Sequence, residues 1–378
     1  MAGLFDSSIF TYEPRPSEYF QPNRIVLTHG WDNTAEQRSM AESIIAVYPK
    51  VQIIDQSDRP HNRVDLGWSN GLEAHYQGKK TLVLGVHKSA LRFSEEANNT
   101  CPNYWHFSCY GFCPFDCKYC YLAGTPGVKF SPTVKIYLNI NEILDQIAET
   151  ATKLNKPTSF YLGKLQDGVA LDSLTGFSHR FARVFAQHKY ARQIILTKAA
   201  DVDNLLDLDH NNHTILSWSL NPPDVSAAFE TNVPPIADRI KAMQKCADVG
   251  YPIRAVIMPI IPIEGWADIY SAFLTDLLQT LPLKRITLGQ ICSYSSAMQL
   301  TEQKLGKCNP ISDQIEKGKS PDGRTRLPAD LRIKLYRRLI QTIQTINPDM
   351  QIGLCLEERL VFDELNMRSA IGCCNCVL

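Results

Sequence analysis

The sequence predicts an α/β protein: a part-barrel of parallel βα units with an N-terminal α/β extension and a C-terminal helical extension. Three observations carry this. Strand-like apolar runs at 159–162, 193–197, 214–220, 253–259 and 285–291 alternate with helical stretches near 173–188, 201–206, 234–249 and 266–280. That is the rhythm of parallel βα units. Upstream, strand-like runs at 24–28 and 51–55 enclose a helical stretch from Thr34 to Tyr48. Downstream, one long amphipathic stretch, Pro328 to Ile346, presents Leu331, Leu335, Leu339, Ile343 and Ile346 inward, with Pro328 near its first turn.

These observations divide the chain into an α/β segment (1–90), a part-barrel (91–296) and a C-terminal loop, helix and cysteine tail (297–378). A chain of 378 residues is long enough for such an arrangement. Lysine plus arginine equals 39, as does aspartate plus glutamate, so no overall charge draws the protein to nucleic acid; a local basic patch stays open. Met1 to Asp6 lacks the basic and apolar regions of a leader, and no apolar run approaches the roughly 18 residues of a membrane span. A cytoplasmic protein with no membrane contact is expected.

Thr34 suits an N-cap ahead of Met40, Ile44, Ile45 and Val47. Residues 58–78, with Pro60, Gly67, Gly71 and Gly78, read as a loop, and Lys80 to Gly85 as a buried strand. Residues 104–108 are aromatic and extended, and deliver the loop 109–125. Residues 133–138 are extended again. Asn139, with Glu142 in the capping-box position, starts a helix whose apolar face is Ile140, Ile143, Leu144, Ile147 and Ala148. Ile236, Ile240, Met243 and Ala247 make a similar face, ended by Gly250. Residues 297–326 are polar and read as a loop or insertion. Residues 351–355 suit a last strand and 357–365 a short helix.

Twelve cysteines are many for a reducing compartment, where they serve as ligands, redox groups or small buried hydrophobes rather than disulfides. Five fall between Cys101 and Cys120, and three in the last six residues. The central stretch is Cys113-Pro-Phe-Asp-Cys117-Lys-Tyr-Cys120, with Tyr119 before the last thiol and Tyr121 after it. Three thiolates are one short of a closed tetrahedral zinc site or a fully protein-ligated cluster. They suit a [4Fe–4S] cluster with one iron left open. The alternative is a structural zinc completed by His106 or Cys109.

Cys-x3-Cys-x2-Cys with an aromatic before the last cysteine resembles the signature of the radical S-adenosylmethionine superfamily. More closely, the Cys117-Lys-Tyr-Cys-Tyr-Leu segment resembles spore photoproduct lyase. So do Leu82-Val-Leu-Gly-Val-His-Lys, Leu196-Thr-Lys198, Trp218-Ser219-Leu-Asn221, Ala247-Asp-Val-Gly-Tyr-Pro and Pro259-Ile-Ile-Pro-Ile-Glu-Gly-Trp266, in order over about residues 80–290. The resemblance implies a radical SAM part-barrel in which Cys113, Cys117 and Cys120 hold a [4Fe–4S] cluster. S-adenosyl-L-methionine would occupy its open iron and yield a 5′-deoxyadenosyl radical that abstracts hydrogen from substrate. It further implies that Lys198, Ser219 and Asn221 contact S-adenosylmethionine, that Gln166 and Asp167 lie near its methionine part, and that Tyr119 and Tyr121 lie between cofactor and substrate. The family repairs a thymine photoproduct in DNA by carbon–carbon bond scission, which makes DNA a candidate partner. An electron donor such as flavodoxin or ferredoxin is implied as well. Nothing in the sequence assigns an oligomeric state.

The chain departs from the lyase at two points. The lyase has a hydrogen-donor cysteine where this chain reads Leu162-Gly-Lys164-Leu-Gln-Asp167, and the basic glycine- and tyrosine-rich DNA hairpin has no counterpart. Arg324, Arg326, Arg332, Arg337 and Arg338 read as a solvated face. Cys292, after the last barrel strand and near Tyr294, is the candidate donor thiol. The tail Cys373, Cys374 and Cys376 is the other, as a flexible thiol cluster or, with Cys355, a second metal site. His210 and His213 read as solvated turn residues. Two further readings stand beside DNA repair: a related radical enzyme acting on another lesion, a peptide or a small metabolite, and a non-catalytic zinc or iron–sulfur protein.

Overall fold

The computed structural model describes residues 12–68, 71–96, 98–315 and 320–378. The first eleven residues, where no leader is expected, and parts of two polar segments, 69–70 and 316–319, lie outside them. Two sheets organise the chain. The larger has eight strands in the order Gln351–Leu354, Arg285–Gln290, Ile253–Ile260, Thr214–Leu220, Ala191–Thr197, Thr158–Leu162, Tyr104–Phe107 and Leu91–Ser94. All neighbours are parallel except the last pair. The two end strands are not paired with each other, so the sheet is an open part-barrel. These strands are buried nearly throughout and accordingly read as continuous apolar runs.

The smaller sheet has the order Gln52–Gln56, Arg24–Thr28, Thr81–Gly85, Val134–Tyr137 and Tyr110–Gly111. Its first four strands are parallel and the last antiparallel. Thr34 caps the helix Ala35–Ala46 in a full capping box with Gln37. Asn139 behaves differently from the expected cap of the helix Ile140–Leu154. Its Oδ1 accepts from the His87 amide at 2.9 Å, so it ties two strand ends together and caps no helical N–H.

Two helices occupy stretches that read as loops. Gly71–Lys79 buries His75 and Lys79, and Ser295–Leu305 buries Ala297, Met298 and Thr301. Their inward faces carry polar groups bonded to the cysteine loop: Lys79 donates to the Cys113 and Phe115 carbonyls, and Thr301 to the Lys118 carbonyl at 2.9 Å. Apolar periodicity cannot report such faces. Three of the five arginines expected on a solvated face are buried in ion pairs. Arg332 meets Glu357 and Glu358, Arg326 meets Asp322, and Arg324 joins Asp322 to Glu96. His210 is buried too, stacked on Tyr251 at 3.7 Å between ring centroids and bonded to the Val249 carbonyl.

The tail is seated rather than loose. Parallel register aligns Ser217, Arg254, Arg285 and Gln351 on the inner face of the part-barrel. Ser217 donates to the Asn375 side chain at 2.8 Å. Arg254 and Arg285 donate to the Val377 carbonyl at 2.7 and 2.9 Å, and Arg285 also to those of Cys374 and Leu378. The tail thus forms a floor across the part-barrel. Gly353 is the close approach that admits it, since a Cβ there would lie 1.9 Å from the Cys373 carbonyl oxygen. Among the described residues no helix is long and apolar enough to cross a membrane.

Gly353→Ala is expected to unseat this floor. The overpacking should cost about 2 kcal/mol, read as a lowered Tm and as faster carboxypeptidase trimming than in the parent protein.

Candidate active site at the cysteine loop

The cysteine loop hangs over the C-terminal ends of the barrel strands, where this architecture gathers reacting groups. Short contacts from four elements hold it. Asp116–Cys117 pairs antiparallel with Glu230–Thr231. The Lys118 amide donates to the Phe229 carbonyl at 2.8 Å. Lys79 lies 3.7 Å above the Phe112 ring, and Phe112 takes a positive φ of 60° where the loop turns in. Asp116 is gripped by Lys304 at 2.5 Å and His75 at 3.1 Å. Burial pushes the Asp116 carboxyl up, but these partners outweigh it and hold it well below the usual range.

Cys113, Cys117 and Cys120 line one cavity of about 180 Å3. Tyr119, Tyr121, Gln166, Asp167, Lys198, Ser219 and Cys292 line it as well. Asn221 does not. It is fully buried behind the wall, where its Oδ1 accepts from Tyr270 at 3.0 Å and its Nδ2 has no partner. Gln166 clamps the loop's entry, accepting from the Tyr110 amide at 2.6 Å and donating to the Phe107 carbonyl at 3.0 Å. Asp167 accepts from Thr197 and from the Lys198, Ala170 and Val169 amides at 2.6 to 3.0 Å, fixing the end of the neighbouring strand. Tyr121 stacks on Tyr294 at 6.4 Å and donates to the Lys164 carbonyl.

The three thiols suit a cluster better than a single ion. Burial pushes Cys113 well up and Cys117 to about 12, so a soft metal centre must displace their protons. Among the described residues no three His, Cys, Asp or Glu side chains converge on one ion. A cluster, which takes each thiolate on a different iron, needs no such convergence. His106 lines a different cavity, and Cys109 is wholly buried under the loop.

One functional residue escaped the sequence reading. Glu230, 8 % exposed, accepts from Tyr119 and from Arg239 at 2.5 Å and Ser226 at 2.8 Å, and pairs with Lys198 at 3.1 Å. Lys198 in turn donates to Ser219 at 2.6 Å. Burial pushes the Glu230 carboxyl up, but Lys198 and Arg239 outweigh it and bring it to about 2. No motif marks Glu230; the only hint is the string of acid, Lys198 and Arg239, scattered over the barrel half of the chain.

An open α/β part-barrel with a three-cysteine loop and a lysine at its C-terminal mouth defines the class. Within that class, the family model for spore photoproduct lyase matches residues 20–292. The chain belongs to the spore photoproduct lyase family. It is 34% identical over 225 residues to the spore photoproduct lyase of Bacillus subtilis, covering 59% of this chain and 64% of that one. The relative from Clostridium acetobutylicum is 32% identical over 207 residues, 53% and 59% of the two chains. The chain therefore matches about three-fifths of the length of these curated relatives. A solved cysteine-to-serine variant of spore photoproduct lyase superposes with a TM-score of 0.78 at 23% identity, covering 89% of this chain and 100% of the other. A spore photoproduct lyase complexed with dinucleoside spore photoproduct gives 0.77 at 22% identity with the same coverage. At that identity these two establish the part-barrel fold.

Glu230→Gln is expected to destabilise the protein by about 3 kcal/mol, because Arg239 is left buried against a neutral partner. The parent's Glu230 contribution is complete above about pH 4.5 and is lost as pH falls toward about 2, the direction required by a depressed carboxyl pKa. Urea midpoints measured from pH 7 to 3 should therefore converge between parent and variant on the acid side.

Proposed function

We propose that this protein is a cytoplasmic radical S-adenosylmethionine enzyme that repairs a thymine photoproduct in DNA by hydrogen abstraction and carbon–carbon bond scission. The observation that carries the reading is that three cysteines, Tyr119, Lys198 and Ser219 share one cavity at the C-terminal ends of a part-barrel. Family membership and the lyase relatives named for this activity support it. Cys113, Cys117 and Cys120 would hold a [4Fe–4S] cluster; with S-adenosylmethionine bound, it would supply a 5′-deoxyadenosyl radical for hydrogen abstraction.

The chain's own groups have definable tasks. Lys198 and Ser219 present donors at the cavity wall, and the Glu230 carboxylate, 3.1 Å away, aims Lys198. Gln166 and Asp167 hold the wall where the methionine part would lie. Tyr121 stands between the cysteine loop and the strand end at Lys164. That strand end carries no thiol. Lys164 donates to Glu96 at 2.7 Å, and Glu96 accepts from Arg324 at 3.1 Å, so the position is closed by ion pairs. Cys292 lines the cavity instead, and burial pushes its thiol up to about 12 despite Arg326 and Arg324 nearby. It remains S–H at neutral pH, the form from which a substrate carbon radical can take a hydrogen atom, leaving the unpaired electron on sulfur. A small electron carrier such as flavodoxin or ferredoxin would deliver the initiating electron.

Anaerobic reconstitution with iron and sulfide, reduction and addition of S-adenosylmethionine test the reading. 5′-Deoxyadenosine should form, and lesion-bearing DNA should return two thymines. Absence of 5′-deoxyadenosine under every condition overturns the reading, and formation indifferent to the lesion overturns the DNA assignment. Any one of Cys113→Ala, Cys117→Ala or Cys120→Ala should abolish the visible iron–sulfur absorbance. Cys292→Ala should leave 5′-deoxyadenosine formation within about threefold but cut thymine return more than tenfold, a barrier increase of about 1.4 kcal/mol or more.

A further inference from the structure

The cysteine cavity is not alone among the described residues. A crevice of about 650 Å3 opens at the C-terminal ends of the smaller sheet. The strands Arg24–Thr28 and Thr81–Gly85 lie side by side there. From the first the chain goes on to Gln52–Gln56 on one flank; from the second it passes through Leu91–Ser94 and Tyr104–Phe107 of the larger sheet before returning as Val134–Tyr137 on the other flank. A reversal of this kind leaves a gap between the loops that follow the two strands, and ligands of open α/β sheets occupy such gaps. Here the loops supply His29 from one strand and Val86, His87 and Lys88 from the other. Gly30 lets them approach, since a Cβ there would sit 2.6 Å from Val86.

The lining is one-sided in charge. Lys88 and Arg92 contribute cations, Lys135 a further amino group, four histidines stand among them, and among the described residues no carboxylate lines the crevice. His106, on the barrel strand that faces the crevice, is 5 % exposed, and its Nδ1 has no hydrogen-bond partner. The Nδ1 of His61 is likewise buried and unpartnered. Lys135, 5 % exposed, gives two of its three protons to the Ser131 and Thr133 carbonyls at 2.7 and 2.9 Å and has the third to spare. Buried polar groups without partners are rare and call for an explanation. Burial pulls Lys135 down to about 7 and His106 to about 4, and a bound anion would raise both again. The imidazoles do not converge as metal ligands among the described residues.

We propose that this crevice binds a phosphate group, carried by a nucleotide or by a nucleic-acid strand. Convergent N–H donors without an acidic neighbour recognise phosphate oxygens, and the volume accommodates a nucleoside monophosphate. The crevice shares a wall with the cysteine cavity: Phe112 and Leu165 line it and also pack with Cys113, Cys120 and Tyr121. A strand with one base at the barrel mouth would bring a neighbouring phosphate to this side. That strand source rests on the DNA reading above, whereas phosphate binding does not.

Titration calorimetry of the full chain without cluster or S-adenosylmethionine keeps the two apart. The probes are inorganic phosphate, thymidine 5′-monophosphate and an oligothymidylate without terminal phosphates. Lys88 and Arg92 are exposed, so Lys88→Ala/Arg92→Ala should fold as the parent does. The double variant should weaken inorganic phosphate and the monophosphate at least tenfold, and His106→Gln should weaken them at least threefold. A control pair on the far surface, Lys153→Ala/Lys189→Ala, should leave both unchanged. Loss of the monophosphate alone identifies a terminal phosphate as the natural group; parallel loss of the oligothymidylate identifies a backbone phosphodiester. The proposal is overturned if inorganic phosphate does not bind, if the double variant binds it as the parent does, or if the control pair weakens it equally.

Discussion

The Glu230 carboxylate is the constraint on which the mouth of the part-barrel depends. One buried oxygen pair meets Lys198 from the end of a central strand, Arg239 from the helix Ile236–Asp248 and the Tyr119 hydroxyl from the cysteine loop. None of these charges could be buried alone without a penalty of several kcal/mol. They are tolerable only together, so the loop, the strand end and the helix have one mutually acceptable arrangement. The backbone repeats the message: Glu230 pairs directly with Cys117 in a two-residue antiparallel bridge. Positioning of the thiols and positioning of the lysine are therefore a single event.

The two departures from the lyase pattern are parts of one substructure. Lys164 stands at the strand end where a thiol is missing, and Arg324 belongs to the segment that reads as solvated. Both bind the same carboxylate, Glu96. Arg324 also lies 5.5 Å from the Tyr294 ring, which stacks on Tyr121. The strand end at Lys164 thus carries a cation and an ion pair that rigidify the same side of the cavity. Cys292 adjoins this network through the bridge between Cys292–Ser293 and Thr325–Arg326.

How much of this could be read from the chain follows from what each element buries. The βα rhythm was plain because parallel strands covered on both faces are continuous apolar runs. The cysteine spacing was plain because ligands on one short loop must be close in sequence. Helices Gly71–Lys79 and Ser295–Leu305 were invisible because their buried faces are short and mix polar groups, Lys79 and Thr301, that are satisfied by loop carbonyls. Arg332, paired with Glu357, read as a solvated charge, and the pair of Arg239 with Glu230 went unread, because pairing between separate elements leaves no periodic trace. Asn221 resembled a ligand by motif, yet its side chain turns behind the wall to Tyr270. The tail gave no signal because its backbone carbonyls, rather than its side chains, carry most of its contacts.

That tail sets an order of assembly. The inward arginines at 254 and 285 are satisfied by residues about a hundred positions later in the chain. During synthesis the strands that carry them leave the ribosome well before residues 374–378 do. Until those residues arrive, Arg254 lacks its partners and Arg285 has only Gln351, so the lumen between the walls must stay open to water. Closure of the floor is therefore a late step in folding, since it waits on residues made long after the cysteine loop above it.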